Sequence, residues 1–217
     1  PKTELRVGVI ASEAPVATPA ADKWSAIMDQ ADAFMYGRGV PEDRRTAEPL
    51  YRQACDAGSA EGCAELAVIL WHGEGASGEN KPKAANLMRA LLPALEMGCK
   101  QGNMRACLRQ GTAFSSGIGA DKDTTRAAQF FDQACTGGDT MGCYNLGVRY
   151  VRGEGVREDY ARAAELLEQA CTGGAAKGCS VLGTLYLGGI GVREDDARAA
   201  ELYEEACTGG YTGSCYE

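Results

Sequence analysis

The sequence predicts an all-α protein built from repeated pairs of helices, and three observations lead to this fold class. A nine-residue cassette with a cysteine at each end occurs five times in the 217-residue chain and uses all ten cysteines. A Gly-x-Gly pair recurs once per unit, at a spacing of 36 residues except for one interval of 44. Two helical patterns flank each Gly-x-Gly pair. Because a repeat decides the whole architecture, the units are read as copies of one design.

The cassettes share two features besides their length. Each has a glycine three places after its first cysteine and a small residue before its second. The glycine permits a tight turn between helices, and the small residue lets two backbones approach within disulfide reach. An even number of cysteines at regular spacing predicts five sequential disulfides and an oxidising compartment. The predicted pairs are Cys55–Cys63, Cys99–Cys107, Cys135–Cys143, Cys171–Cys179 and Cys207–Cys215.

Metal binding is the rival interpretation of so many cysteines. Zinc takes four Cys or His ligands at one point, whereas these pairs recur about one repeat apart. The only histidine is His72, and the sequence has no Cys-x-x-Cys or Cys-x-x-Cys-His. We therefore predict no metal site and no cofactor.

The first unit sets the order of elements. A helical pattern begins after Ala21, with Asp22 as its cap and one apolar face formed by Trp24, Ile27, Ala31 and Phe34. It ends at Gly37-Arg38-Gly39, because glycine readily takes the left-handed conformation that ends helices. A second helix is predicted from about Asp43 to Asp56. Each later unit repeats helix A, the Gly-x-Gly turn, helix B and the cassette.

The second unit carries the eight extra residues. Aligned with the third unit, Leu92 stands where a cysteine is expected, and Cys99 comes seven residues later. Seven residues are about two helical turns, so the cysteine stays on nearly the same face. We predict a longer helix B here, with a kink at Pro93, and interpret the insertion as a possible partner contact.

The domain organisation follows from these units. We expect a flexible spacer over residues 1–21, rich in Pro, Ala and Thr, and one repeat domain over residues 22–217. The first residues contain no long apolar run, so we expect an export signal or lipid anchor to have been removed. The predicted repeats are about 22–58, 59–102, 103–138, 139–174 and 175–210, followed by a terminal half-repeat, 211–217, that starts a sixth helix A.

The charge balance excludes two kinds of partner. The formal net charge is −8, which argues against duplex nucleic acid and against an anionic membrane surface. No stretch approaches the roughly 20 apolar residues that a membrane span requires. We therefore predict no nucleic-acid partner and no membrane span.

The fourth unit contains the clearest family signature. Residues 153–163 read Gly-Glu-Gly-Val-Arg-Glu-Asp-Tyr-Ala-Arg-Ala, which resembles Sel1-like repeats. The cassettes are similar to those of the disulfide-bridged subset, the Helicobacter cysteine-rich proteins. The resemblance covers residues 22–217, with departures at the insertion and at Ala120, which replaces valine. It implies a right-handed, TPR-like α/α superhelix, a periplasmic or secreted location, and binding of a peptide or protein by a non-enzymatic adaptor or scaffold.

The resemblance also implies an alternative, because penicillin binding or weak β-lactamase activity is ascribed to some relatives. The sequence lacks Ser-x-x-Lys, Ser-Asp-Asn and Lys-Thr-Gly, which carry serine β-lactamase chemistry. His72 has no free cysteine to activate, so we interpret it as a surface residue at a helix end. We predict no catalytic residues.

Helix A supplies the candidate binding surface. Counted from the second cysteine, positions +3, +4 and +7 mix large and small residues and are predicted to form the stacking core. In a solenoid the A helices line the concave side, so we expect positions +2, +5, +6 and +9 to face a ligand. The predicted groove residues are Tyr36, Ile69, His72, Arg109, Asn145, Arg149, Arg152 and Leu185.

Three groove residues suggest a specific ligand group. We hypothesise that Arg109, Asn145 and Arg149 hold a carboxylate, for example a peptide C-terminus. The alternative is an ordinary solvated helix face, and a scaffold with its contacts on the convex side or at the insertion is also open. The sequence identifies neither the partner nor the oligomeric state.

Overall fold

The protein's structure, a computed structural model, describes residues 21–215, with side chains from residue 24 onward. These residues form ten α-helices and a final 3-10 helix. The predicted spacer lies outside the described residues except for Ala21, which begins the first helix. The helices are α1 Ala21–Tyr36, α2 Arg44–Asp56, α3 Ala60–His72, α4 Lys81–Lys100, α5 Met104–Ser116, α6 Thr124–Thr136, α7 Thr140–Arg152, α8 Tyr160–Thr172, α9 Ala176–Leu187, α10 Asp196–Thr208 and the 3-10 helix Thr212–Ser214.

Odd-numbered helices are helix A of successive repeats and even-numbered helices are helix B. Aspartates cap most B helices: the carboxylate of Asp159, for example, accepts the backbone N–H of Arg162 at 2.9 Å. Helix A of repeat 4 ends at Gly153, which has φ of +64°. The local signals in the sequence therefore placed the helix boundaries correctly.

All five predicted disulfides are present. Their Cα–Cα distances lie between 4.4 and 4.9 Å, within the usual range for a disulfide. In the first four, the first cysteine lies at the end of a helix B and the second in the first turn of the next helix A. Each bridge therefore fastens one repeat to its neighbour.

The insertion lengthens α4 as predicted. This helix has 20 residues, against 13 in α6, and is continuous through Pro93. Gln110, a polar residue at a core position, is buried and donates to the carbonyl of Leu92 at 3.0 Å. The inserted part of α4 thus has a hydrogen-bonding partner in the following repeat.

Two details of the predicted elements were wrong. Within the described residues, the predicted sixth helix A forms only a short 3-10 helix, Thr212–Ser214, followed by Cys215. In α1 the buried face contains Met28, Ala31 and Met35, so of the four predicted members only Ala31 is buried, and Trp24, Ile27 and Phe34 are half-buried. Asp22 lies inside the helix rather than before it.

Helices stack closely because, at many helix–helix contacts, one of the two residues is very small. A Cβ added to Gly147 would lie 2.9 Å from Cγ of Leu167, closer than packed carbon atoms allow. The predicted stacking positions +3 and +4 are buried in repeats 2 to 5. No described helix has an apolar stretch of the length that membrane crossing requires.

Candidate functional site

The A helices lie on the inner side of the curved stack. Arg105 of α5 bonds to Asp32 of α1 at 2.8 Å and to Asp29 of α1 at 3.1 Å. These residues belong to repeats 3 and 1, so the ion pairs pass over α3 of the repeat between them. The curvature is therefore tight enough to cover the middle helix.

A buried ion pair lies beneath this bridge. Glu65 of α3 and Arg109 of α5 have side chains 0% and 3% exposed and contact each other directly. The hydroxyl of Tyr36 donates to Oε1 of Glu65 at 2.8 Å. The Arg109 guanidinium also lies over the Tyr36 ring, 5.8 Å from its centre. Three A helices thus meet here: α1 contributes the Tyr36 phenol, α3 the Glu65 carboxylate and α5 the Arg109 guanidinium.

Asp32 extends this group of side chains, which we call the inner network: Asp32, Tyr36, Tyr51, Glu65, Arg105 and Arg109. The buried hydroxyl of Tyr51 donates to Oδ1 of Asp32 at 2.7 Å, while Oδ2 faces Arg105. Among the described atoms, Oε2 of Glu65 and Nε of Arg109 have no hydrogen-bond partner. The network is therefore paired in charge but not saturated in hydrogen bonds.

Burial dominates the electrostatics of the inner network. It raises the pKa of Glu65 to about 7, with the Asp32 charge adding to the rise and Arg109 and Tyr36 opposing it. Burial also raises the pKa of Tyr36 well above its ordinary value. It lowers the pKa of Arg109, but attraction to Glu65 outweighs burial and the net shift is upward. Glu65 is consequently the group of this network that titrates near neutral pH.

Three predicted groove residues are not exposed. Ile69, Arg109 and Leu185 are 1%, 3% and 3% exposed, so the expectation that they face solvent was wrong. Ile69 lies against Gly75 in the turn that follows its helix, and Leu185 packs in the apolar cluster of repeat 5 with Leu202. Ile69 and Leu185, both at position +6, lie between packed helices. Arg109, at position +2 of repeat 3, is covered because the array curves tightly.

The three residues of the hypothetical carboxylate clamp already have partners. Arg109 contacts Glu65, and Arg149 contacts both Glu154 and the hydroxyl of Ser115 in the preceding repeat. Nδ2 of Asn145 donates to the carbonyl of Met141 at 2.8 Å within its own helix. A carboxylate ligand would have to displace these contacts.

The remaining predicted residues lie at helix ends. His72 is the last residue of α3, and much of its side chain is exposed. Partial burial of its ring and the positive charges of Arg44 and Lys81 lower its pKa. Arg152 is the last residue of α7 and is exposed, and no ion pair to it exists within residues 24–215. Tyr36 is half-buried within the inner network.

The sequence analysis missed a contact between the two ends of the array. Nζ of Lys177 in repeat 5 lies 2.8 Å from Oε2 of Glu42 in repeat 1. The N–H of Gly39 donates to the carbonyl of Gly209 at 3.3 Å. The stack therefore curls until its first turn meets its last repeat. The sequence contains one indication of this contact: Lys177 and Arg105 both stand two places before a second cysteine. In the structure both bind acidic residues of repeat 1.

The inner face is most open in repeats 4 and 5. We call this surface the open face: Tyr144, Asn145, Arg152 and Thr184. Its first two residues are half-buried, and Arg152 and Thr184 are exposed. Burial raises the pKa of Tyr144, and the charges of Tyr211 and Glu42 add to this shift. The open face thus borders the contact between the ends.

Disulfide-linked helix pairs stacked into a curved array define a class of α/α solenoid. The Sel1 repeat family model matches this chain in five segments, at residues 26–59, 60–90, 105–139, 140–174 and 176–211. The chain belongs to the Sel1 repeat family. Sel1-repeat proteins are typically protein-interaction adaptors.

Solved structures with TM-scores of 0.56 and 0.55 show the same fold. A Sel1 repeat protein from Oxalobacter formigenes is 24% identical, covers 91% of this chain and 78% of its own, and has a TM-score of 0.56. An immunity protein from Pseudomonas aeruginosa is 18% identical, with 92% and 70% covered and a TM-score of 0.55. Helicobacter pylori cysteine rich protein B is 25% identical, with 59% and 92% covered and a TM-score of 0.49. A comparison with curated proteins gives no significant match.

Proposed function

We propose that this chain is an exported, non-enzymatic module that binds a peptide or protein partner on the open face. The observation that supports this surface is the contrast at the end of α7, where Arg152 is exposed without an ion pair inside residues 24–215. The corresponding faces of α3 and α5 are occupied by the inner network. The adaptor role of Sel1 repeats agrees with this proposal.

The disulfides support an extracytoplasmic location, because such bonds persist where the environment is oxidising. We place the protein in the periplasm or outside the cell, with a lipid anchor as the alternative. Fractionation of cells that express the full precursor would check this placement. Recovery of the protein with reduced cysteines in the cytoplasmic fraction would contradict it.

The chemistry of the open face suits a peptide chain. The Arg152 guanidinium can bind a carboxylate with two hydrogen bonds. The amide of Asn145 can both donate to and accept from a peptide backbone once it leaves the Met141 carbonyl. Tyr144 adds an aromatic surface beside them. Such a mixture favours an extended or turn-forming segment with an acidic group.

Selection of peptides from a random library against the oxidised protein would test this proposal. Binders should lose about tenfold in affinity on Arg152→Ala, as expected for one charge-assisted contact. Arg162→Ala is the matched control, because Arg162 is exposed on α8 and pairs only with its neighbour Glu165. Equal affinity for both variants would contradict the open face as the site.

The β-lactam alternative stays a prediction. Nitrocefin hydrolysis by the purified, oxidised protein would test it. Turnover that persists through repeated purification and is saturable would replace the binding proposal with an enzymatic one. Arg152→Ala, assayed in parallel, would show whether any such activity uses the open face.

A further inference from the structure

We propose that the end of repeat 5 is a binding site for an acidic, glycine-containing turn, and that residues 37–42 of this chain occupy it in cis. The inference rests on the proposed function, because this site borders the open face, and it names the class of partner segment. We call the site the end site: Lys177, Gly209, Gly210 and Tyr211. A partner that presents the same kind of turn would compete with residues 37–42.

The cis segment makes an ion pair and a backbone hydrogen bond, and it lies against glycine. Lys177 bonds to Glu42 at 2.8 Å and its ammonium lies 5.9 Å from the Tyr211 ring centre. The Gly209 carbonyl accepts the Gly39 N–H at 3.3 Å. Gly210 is buried beneath the turn. This combination of a cation, a backbone acceptor and a surface without a side chain is a recognisable peptide site.

A comparison of equivalent glycines shows that the contact is particular to repeat 5. The glycine three places after the first cysteine occurs in all five cassettes. A Cβ added to it would meet nothing within 4 Å in the first four, whereas at Gly210 it would collide with the carbonyl oxygens of Val40 and Gly37. The four open positions are Gly58, Gly102, Gly138 and Gly174. Only the last cassette is covered.

The Gly-x-Gly turns provide the second comparison. In repeats 2 to 5 the second glycine of the turn packs against the preceding repeat; Gly155, for example, lies against the Thr124 backbone and Gly191 against Tyr160. Gly39 has no described helix B before it, and a Cβ added there would meet nothing within 4 Å. The first turn is therefore free of the packing that fixes its copies, and it contacts the end site instead.

The ligand requirements follow from the cis segment. The end site accepts a backbone N–H and, three residues later, a carboxylate, as Gly39 and Glu42 provide. Partial burial tends to raise the pKa of Glu42, but Lys177 and Arg44 lower it overall. A side chain on the glycine that faces Gly210 would be excluded, because a Cβ at Gly37 would lie 3.1 Å from the Gly210 carbonyl oxygen.

Tethering explains how the cis segment would compete. The folded repeats between them hold residues 37–42 against the end site, so this contact forms within one molecule and does not depend on protein concentration. A free ligand therefore sees only the fraction of molecules whose end site is open, and its apparent affinity falls by that fraction. Weakening the cis contact should tighten binding of an added turn.

The decisive experiment measures binding of a peptide that contains residues 36–43 to the full, oxidised chain by NMR titration. We expect Glu42→Lys, which repels Lys177, to bind the peptide about tenfold more tightly than the unmodified chain. Binding should disappear in Lys177→Glu, which repels Glu42 and so opens the end site but removes its cation. It should return when the peptide carries lysine in place of glutamate. Absence of binding to Glu42→Lys, or binding that survives Lys177→Glu, would overturn the proposal.

A second measurement does not depend on an added ligand. Hydrogen exchange of the Gly39 amide should accelerate about tenfold in Gly210→Ala, because the methyl group would push the turn away. Gly174→Ala is the matched control: Gly174 also has positive φ, +87° against +100°, but faces open space. Equal exchange in both variants would overturn the cis contact.

The two proposals can fail separately. Peptides selected from a library that depend on Arg152 but lack an acidic, glycine-containing turn would leave the proposed function standing and overturn the end-site inference. Library peptides that bind Arg152→Ala as well as the parent protein, together with binding of the residue 36–43 peptide to Glu42→Lys, would do the reverse: the end-site inference would stand and the open face would not be the site.

Discussion

Repeats 1 to 3 and repeats 4 and 5 are built from the same helix pairs, yet their inner faces differ in kind. Arg109 and Asn145 both stand two places after a second cysteine. Arg109 is 3% exposed in an ion pair that joins two repeats, whereas Asn145 is half-buried and bonds within its own helix. The same helix position is thus core in one half of the array and surface in the other.

The difference shows that burial in a solenoid depends on neighbours two repeats away. Arg105 of repeat 3 bonds to Asp29 and Asp32 of repeat 1, and these ion pairs draw α1 and α5 together across α3. Arg109 adds an ion pair with Glu65 of α3 itself. In repeat 4 the charged residues of α7 are Arg149 and Arg152, and among the described residues no ion pair joins either to another repeat. The first half therefore closes over its inner face, and the second half leaves it available.

The largest expected effect is on Arg109. Arg109→Ala should destabilise the protein by about 3–5 kcal/mol, because Glu65 loses its buried partner and its carboxyl must take up a proton to stay buried. Asn145→Ala, the matched change in repeat 4, should cost less than about 1 kcal/mol. Guanidinium unfolding of both oxidised variants would measure this contrast. Similar losses would show that the two inner faces do not differ as described.

The next largest expected effect is a pH dependence of folding stability that arises in repeats 1 to 3. Glu65 has a pKa raised from 4.5 to about 7 by burial, so the folded state holds a proton that the unfolded chain has lost. Stability from this group is present below pH 4.5 and is lost as pH rises through about 7. The shift corresponds to on the order of 3 kcal/mol.

Unfolding midpoints between pH 5 and 8, the range in which His also titrates, would test this dependence. Glu65→Gln should remove the decline. His72 has a lowered pKa, so its own stability contribution is present above its unfolded pKa and is lost as pH falls. It opposes Glu65 and would remain in the variant. A decline that survives Glu65→Gln would assign the dependence to other groups.

The disulfides offer a comparison of equal loops in unequal surroundings. Cys99–Cys107 and Cys207–Cys215 have the same sequence separation of 8. Replacing either pair with alanine should cost about 2–3 kcal/mol in the chain-entropy account. Cys107 is buried, whereas Cys215 is exposed, so reductant should cleave the second bridge first. Mass mapping of partly reduced protein would reveal the order, and earlier loss of Cys99–Cys107 would contradict it.

Local features of this fold could be predicted because each is encoded by a few adjacent residues. The turn at Gly153, the cap at Asp159 and the spacing of Cys171 and Cys179 each act over less than ten residues, and all appear as expected. The longer α4 also follows from counting, since a seven-residue insertion keeps Cys99 on the same face.

The exposure of the inner face could not be predicted in the same way. Curvature adds a small rotation at every repeat, and no single residue encodes the sum that brings Arg105 to Asp32 or Lys177 to Glu42. The sequence places Arg109 and Arg149 at groove positions, and we interpreted them as part of a ligand surface. Acidic residues on repeats 1 and 2 and basic residues on repeat 3 were better evidence for internal pairing, such as that of Glu65 with Arg109.

The smallest effect separates two cations that occupy the same helix position. Arg105 and Lys177 each stand two places before a second cysteine, and each bonds to repeat 1. Arg105→Met should cost about 2 kcal/mol, because Asp32 is buried and would lose the cation that bonds to it. Lys177→Met should cost less than about 1 kcal/mol, because Glu42 is 24% exposed and keeps Arg44 at 2.8 Å.

Unfolding midpoints in low and in 1 M salt would check both values. Lys177→Met should approach the parent protein as salt screens the exposed pair, while the loss in Arg105→Met should persist. An equal, salt-sensitive loss in the two variants would mean that repeat 1 is held by surface charge alone and that the inner network is not a core.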